Sequence, residues 1–305
     1  GKFDAQKTFY QVNHHAFMAH AKAVLAYREM GGKGEIGASF AYTPSYAIDC
    51  KPINAMAKRD FDELKTFWWM GVYAYGRYPK AAMAYLKKKG YAPEIADGDM
   101  DILKKAASEI TFMGVNYYQS CVCEYNPMDG VTPYGTMNTT GVKGSAQELG
   151  MQGIYKNPAN PYLMTTDWDW TIDPMGLRFC CREITSRYGL PIVISENGLG
   201  AFDKKTEDDQ IHDEYRIDYL KKHIEQLKIM IDEGIPVLGY CPWSFIDVVS
   251  SHQGFQKRYG LVYVDRTETD PKQCARIKKD SFYWYKEVIR NNGLTKESIR
   301  GKQNG

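Results

Sequence analysis

Four short apolar runs, near residues 36–42, 110–118, 191–195 and 237–243, each lead into a stretch with helical spacing. This repeated strand-then-helix order limits the fold more than any other property of the chain, because parallel strands need crossover helices that bury the sheet. The third run is the clearest. Residues 190–198 read Leu-Pro-Ile-Val-Ile-Ser-Glu-Asn-Gly, a β-branched core that ends in a polar turn. Such a run is a buried parallel strand whose carboxyl end delivers Glu196 to solvent. In a (β/α) barrel that end is where catalysis takes place. A carboxylate held there, with part of its water removed, can attack an electrophilic carbon, so Glu196 is the candidate nucleophile. The other reading is a charged residue that opens a loop.

The elements around these runs have ordinary start and stop signals. Asp4 is an N-cap for a helix to Met30, stopped by Gly31-Gly32. His14, His15 and His20 on it lack the spacing of a helical zinc site and are structural or exposed. Helical stretches are expected at 53–69 and 80–89. Asp173-Pro174 opens a helix through Leu177, Cys181, Ile184 and Tyr188 to Gly189. Ile217, Leu220, Ile224, Leu227 and Ile231 form an amphipathic stripe closed by Gly234. An apolar run at 261–265 precedes a last helix expected from 275 to 289, and 294–305 is a polar tail. Residues 126–166 form a long connection rich in Gly, Pro, Asn and Thr, expected as a lid on the active-site face. Asn138-Thr139-Thr140 within it matches a glycosylation acceptor, a tripeptide that also arises by chance. A closed barrel needs eight strand-helix units in about 250 residues. Four units leave two readings: half a barrel whose other strands lie outside this chain, or an open α/β sheet.

With 39 basic and 37 acidic residues the net charge is +2, which sets aside a nucleic-acid partner. No apolar run reaches the roughly 18 residues needed to span a bilayer, so no membrane partner is expected. No signal peptide is visible at Gly1. The seven cysteines are scattered and lack zinc spacing, and are expected as buried free thiols in a reducing, cytoplasmic compartment.

The sequence resembles the family-1 glycoside hydrolases, most closely their 6-phospho-β-glucosidase branch, through nearly its whole length. The resemblance is carried by Asn13-His14-His15, Gly114-Val-Asn-Tyr-Tyr118, Trp170 with Pro174-Met-Gly-Leu177, Ile194-Ser-Glu-Asn-Gly198, Trp243-Ser-Phe-Ile-Asp247, Lys257-Arg-Tyr-Gly260 and Ser281-Phe282-Tyr283-Trp284-Tyr285. It implies one domain of a (β/α)8 TIM barrel, with this chain supplying roughly the fourth helix through the eighth βα unit. It further implies retaining hydrolysis of β-glycosides. Glu196 matches the nucleophile, and Asn116 and Tyr118 match residues that approach it from the neighbouring strand end. Trp243 matches the platform under the reacting sugar, and Trp170 a ring on the leaving-group side.

The phosphate preference is implied by residues after the fourth strand. Ser250, Lys257 and Tyr259 match the trio that phosphoglycosidases carry, where other members place a glutamate that would repel a phosphate. The small Ser251, where a tryptophan usually accompanies galacto substrates, favours a gluco sugar. The expected partner is thus a phosphorylated β-glucoside. The family's Thr-Phe-Asn-Glu motif, which holds the acid/base glutamate, does not occur in this sequence. Gly1 aligns just past it, so the expected second partner is a missing N-terminal barrel portion, and the chain alone is expected to be inactive. No metal or organic cofactor is implied, since carboxylate attack and proton transfer suffice. The alternative is a non-catalytic truncated or split barrel that binds sugar phosphate or only complements its other half. The aglycone and the oligomeric state, a homo-oligomer included, stay open.

Overall fold

The computed structural model describes residues 5–127, 137–251 and 253–295. Helix α1 (Ala5–Glu29) buries Tyr10, Asn13, His14, Phe17, Met18, Ala21 and Val24, at three- and four-residue steps that keep one face inward. Its expected N-cap, Asp4, lies outside the described residues. Strands β1 (Gly37–Ala41) and β2 (Ser45–Ala47) follow. Helix α2 (Pro52–Phe61) opens on a proline, whose missing N–H would be unpaired there anyway. A π-helical turn, Asp62–Thr66, carries it into α3 (Phe67–Tyr75), so the stretch expected at 53–69 continues to Tyr75. Helix α4 (Lys80–Lys89) falls where expected. Helix α5 (Asp99–Ala107) is absent from the sequence reading, because nine residues hold too few turns for an apolar period to stand out. Packing against α1 and α3 holds it.

The chain then runs through β3 (Phe112–Tyr117), β4 (Cys121–Cys123), β5 (Leu149–Met151) and β6 (Tyr155–Asn157) to α6 (Pro174–Tyr188). Asp173 caps α6 by accepting from the Gly176 amide at 2.9 Å, and Gly189 ends it at φ 66°, where a side chain would be strained. Strand β7 (Ile192–Asn197), α7 (Glu214–Asp232), β8 (Val237–Pro242), β9 (Val262–Asp265), β10 (Ala275–Lys278) and α8 (Asp280–Arg290) complete the order.

The four expected strands pair in chain order, β1-β3-β7-β8, all parallel. One face of this sheet carries Ala38, Met113, Val115, Ile192 and Ile194, packed on Leu177, Cys181 and Ile184 of α6 and Ile224 and Leu227 of α7. A second core lies among α1 to α5. The sheet's other face is lined by small and polar groups: Gly114 has Ser39 and Ser195 so close that an added Cβ would lie 3.0–3.1 Å from them. Pro242, which cannot donate to a ladder, ends β8 on the sheet's edge.

Several expectations are corrected. Residues 275–278 are not the start of the last helix; they pair antiparallel with β9, and α8 begins only at Asp280. Ladder pairing outweighs their moderate helix propensity. The connection at 126–166 is not wholly a lid. Its β5–β6 hairpin sends Met151, Ile154 and Tyr155 into the core, with Tyr155 edge-on to Phe61 at 5.0 Å, while residues 128–136 lie outside the described residues. Asn138 is buried and donates to the carbonyls of Val142 and Asp167 and to Asp169, so it organises its loop and is not open to glycosylation. All seven cysteines are free, but only Cys123, Cys180 and Cys181 are buried; Cys50 and Cys241 are exposed. His14 is buried between the Tyr78 hydroxyl and Asp99, His15 is exposed, and His20 meets Tyr73 edge to face. Among the described residues no cluster of metal-ligating side chains occurs and no helix is long and apolar enough to cross a membrane. The tail from 296 onward lies outside the described residues.

Candidate active site

The carboxyl ends of β3 and β7 meet where the register sets Asn116 opposite Glu196, just after a β-bulge at Val115/Asn116. Bulges re-aim side chains. Ile192, Ile194 and Asn197 are buried, while Glu196 is half-buried at the strand end. The Tyr118 hydroxyl donates to Glu196 Oε2 at 2.6 Å. A bond this short to a carboxylate is charge-assisted and fixes the carboxylate's orientation. Burial and the Glu196 carboxylate together push the Tyr118 phenol far above its ordinary range, so the proton stays on the tyrosine.

Asn116 is placed beside this pair but bonded elsewhere. Its Oδ1 accepts from Ser39 Oγ at 2.8 Å and Ser195 Oγ at 2.7 Å. With that oxygen committed, the Nδ2 amide is the polar group it can offer to a ligand. Asn197 braces Glu196 from the chain side, a role the sequence reading missed. It is fully buried, donates to the Tyr117 carbonyl at 2.8 Å and the Tyr219 hydroxyl at 3.1 Å, and accepts from Tyr240 at 2.7 Å. Its carbonyl receives the Trp243 amide at 2.8 Å. Trp243 therefore stands beside Gly198, whose added Cβ would lie 3.2 Å from the tryptophan's own, with its indole partly exposed. Ser244 next to it sits at φ 70°, a costly conformation for a non-glycine residue.

From Tyr118 the site continues through aromatic rings. Its ring centroid lies 5.5 Å from that of Trp170 and 6.3 Å from that of Tyr259. Lys257 Nζ is 3.4 Å from the Trp170 centroid, 5.5 Å from Tyr259 and 5.2 Å from Trp168, a ring the sequence reading did not single out. The lysine is fully buried and its Nζ has no hydrogen-bond partner. Burial brings its pKa down to about 7. Cation–π contact with three rings offsets only part of the cost of burying an ammonium. Gly200 makes room for this side chain, since a Cβ there would come within 2.5–2.8 Å of the Lys257 stem and 3.0 Å of the Tyr259 ring.

Ser250 and Ser251 sit apart from the ring cluster. Ser250 Oγ donates to Gln253 at 2.6 Å, inside a turn closed by mutual Ser250–Gly254 backbone bonds. Gln253 in turn donates to the Asn138 carbonyl, and Asn138 holds the carbonyl before Trp168. Ser251 is exposed. Glu196, Tyr118, Trp170, Lys257 and Tyr259 are thus one contiguous set. Trp243 and Asn116 flank Glu196, and Ser250 joins only through intermediaries.

The family model described as "Glycosyl hydrolase family 1" matches residues 1–294. Aryl-phospho-beta-D-glucosidase BglC of Bacillus subtilis is 50% identical over 288 residues, covering 94% of this chain and 60% of that protein. 6-phospho-beta-glucosidase AscB of Escherichia coli is 35% identical, covering 93% of this chain and 56% of its own length. A 6-phospho-beta-galactosidase of Clostridium acetobutylicum is 37% identical over 294 residues. Among solved structures, the family 1 β-glucosidase of Thermotoga maritima superposes with a TM-score of 0.79 at 29% identity, covering 95% of this chain and 58% of that one. The chain therefore spans about 60% of the length of the relatives it matches. Its fold is part of a TIM barrel, which excludes an unrelated open sheet.

Proposed function

The chain belongs to glycosyl hydrolase family 1, and from that premise we propose that it serves retaining hydrolysis of 6-phospho-β-glucosides, with Glu196 as nucleophile. Glu196 attacks the anomeric carbon and a covalent glycosyl-enzyme forms. A second carboxyl protonates the leaving oxygen and then activates the water that releases the sugar. Tyr118 orients Glu196, and Asn116 offers its amide to the sugar beside it. Trp243 is the platform for the reacting ring and Trp170 lines the leaving-group side. Lys257, Tyr259 and Ser250 bind the phosphate, and the small Ser251 leaves space that suits a gluco sugar.

The observation that carries this reading is the buried Lys257 ammonium without a partner, joined through Trp170 and Tyr259 to the Tyr118–Glu196 pair. A phosphate dianion supplies the missing partner. The phospho-glycosidase names of several relatives point the same way. Retaining chemistry needs its second carboxyl about 5–5.5 Å from the first. The Thr-Phe-Asn-Glu motif that would supply it is not in this sequence, so in this reading a complementary barrel portion provides it.

That same missing motif favours a second reading, a non-catalytic barrel portion that binds sugar phosphate or only pairs with its complement. A chromogenic 6-phospho-β-glucoside separates the two. The expected result is no turnover by the chain alone and turnover when the complementary N-terminal portion is added. Restored turnover that survives Glu196→Gln rejects the nucleophile assignment. Absence of turnover with both portions assembled favours the second reading.

A further inference from the structure

Glu196 and the residues 257–259 lie on separate segments, and one buried guanidinium ties the two together. Arg216, in the first turn of α7, is 1% exposed. Its Nη1 donates to the carbonyl of Leu199, three residues past Glu196, and also to the carbonyls of Arg258 and Tyr259, each at 3.3 Å. Its other two nitrogens go to Asp213 at 2.9 Å and Asp203 at 2.6 Å. Asp203 is shared with Lys279 and with the Tyr215 hydroxyl; Lys279 reaches Asp247 at 2.8 Å, and Asp247 takes Arg258 at 2.8 Å. Arg216, Arg258 and Lys279 face Asp203, Asp213 and Asp247, so three cations meet three carboxylates and their charges cancel. Reciprocal Ala201–Arg258 backbone bonds at 3.0 Å pin the same two segments.

A balanced buried network adds little net field and is a weak source of stability. Its distinctive property is where Arg216 Nη1 ends, on backbone carbonyls of the two segments that carry Glu196 and Lys257. We propose that Arg216 is a positioning residue that sets the span between Glu196 and Lys257, so that one sugar phosphate can reach both. This rests on the phosphate reading above. The pyranose ring fixes the distance from its anomeric carbon to C5, and the short CH2–O arm beyond it lets the 6-phosphate reach only a limited span; a misplacement near 1 Å can cost about 100-fold in rate. Lysine at 216 keeps the charge but lacks the planar fork that serves two carboxylates and three carbonyls at once.

The test compares two probes on the chain by calorimetry. Glucose 6-phosphate needs both ends of the site, whereas inorganic phosphate needs only the Lys257 end. Arg216→Lys is expected to weaken glucose 6-phosphate about tenfold and inorganic phosphate less than about twofold, with near-ultraviolet circular dichroism unchanged. Wild-type protein that binds neither probe rejects the phosphate reading, and the bridge with it. Wild-type binding that Arg216→Lys leaves intact, or weakens equally for both probes, rejects the bridge alone. If Arg216→Lys does not fold, Tyr215→Phe takes its place, since Tyr215 is 40% exposed, its hydroxyl steadies Asp203, and phenylalanine keeps the ring that lies against Arg216. There the expected loss is about threefold for glucose 6-phosphate alone, and an equal or absent loss overturns the proposal.

Discussion

Replacing Lys257 with methionine keeps an unbranched apolar stem and removes the buried amine, and it exposes two pH dependences of opposite sign. With its folded pKa at about 7 against roughly 10.4 in an unfolded chain, the lysine binds fewer protons folded than unfolded across that window. Stability of the ligand-free protein then rises with pH between about 7 and 10.4, by at most about 1.4 kcal/mol per pH unit for this one group. Its contribution is flat below 7, where both states are protonated. Phosphate affinity runs the other way, because only the ammonium attracts the dianion. Above pH 7 the protonated fraction, and with it the affinity, falls toward tenfold per unit, while below pH 6 the ligand itself loses its second charge. The groups against Lys257 are Trp168, Trp170 and Tyr259, and the nearby charges of Arg216 and Asp203 are paired. No described carboxylate takes the lysine's proton. The assay is denaturant unfolding of wild type and Lys257→Met from pH 6 to 9, with glucose 6-phosphate titrations over the same range. Lys257→Met is expected to be more stable below pH 7 and to lose both dependences. A wild-type-minus-variant stability difference that is flat or reversed between pH 7 and 9, or affinity that climbs above pH 7, refutes the buried-amine account.

Tyr118→Phe removes the 2.6 Å bond to Glu196, and a hydrogen bond to a charged group is worth about 1.5–3 kcal/mol, so turnover by the reassembled enzyme should fall roughly 10- to 100-fold with KM little changed. Gly200→Ala crowds the Lys257 stem and the Tyr259 ring without backbone strain, and should lower affinity for phosphorylated sugars in equilibrium titrations while leaving thermal stability within a few degrees. Ile184→Ala, a fully buried side chain between α6 and the sheet, should cost about 2–5 kcal/mol in chemical denaturation and leave the pH optimum unmoved.

The sequence by itself determined the four parallel strands of the main sheet and most of the helices around them. Helix α6 could be read between Asp173-Pro174 and Gly189, and β7 up to Glu196-Asn197, because caps and apolar runs act over a few neighbouring residues. Helix α5 and the β9–β10 pair escaped for the complementary reason. Their conformations come from partners elsewhere in the chain, so the local signal is weak or points the other way.

The tertiary structure alone decided what each strand-end side chain touches. Lys257 stands in the sequence only as a match to the phosphate trio, but folding closes three rings over it and sends the adjacent Arg258 to Asp247. Asn116 could be placed opposite Glu196 by pattern, yet its oxygen is claimed by Ser39 and Ser195 from the strands on either side. Arg216, 20 residues past Glu196 and 41 before Lys257, carries no local mark of its role. Burial, charge pairing and desolvation are set by the segments that surround a group once the chain is packed, and those segments are far from it in sequence.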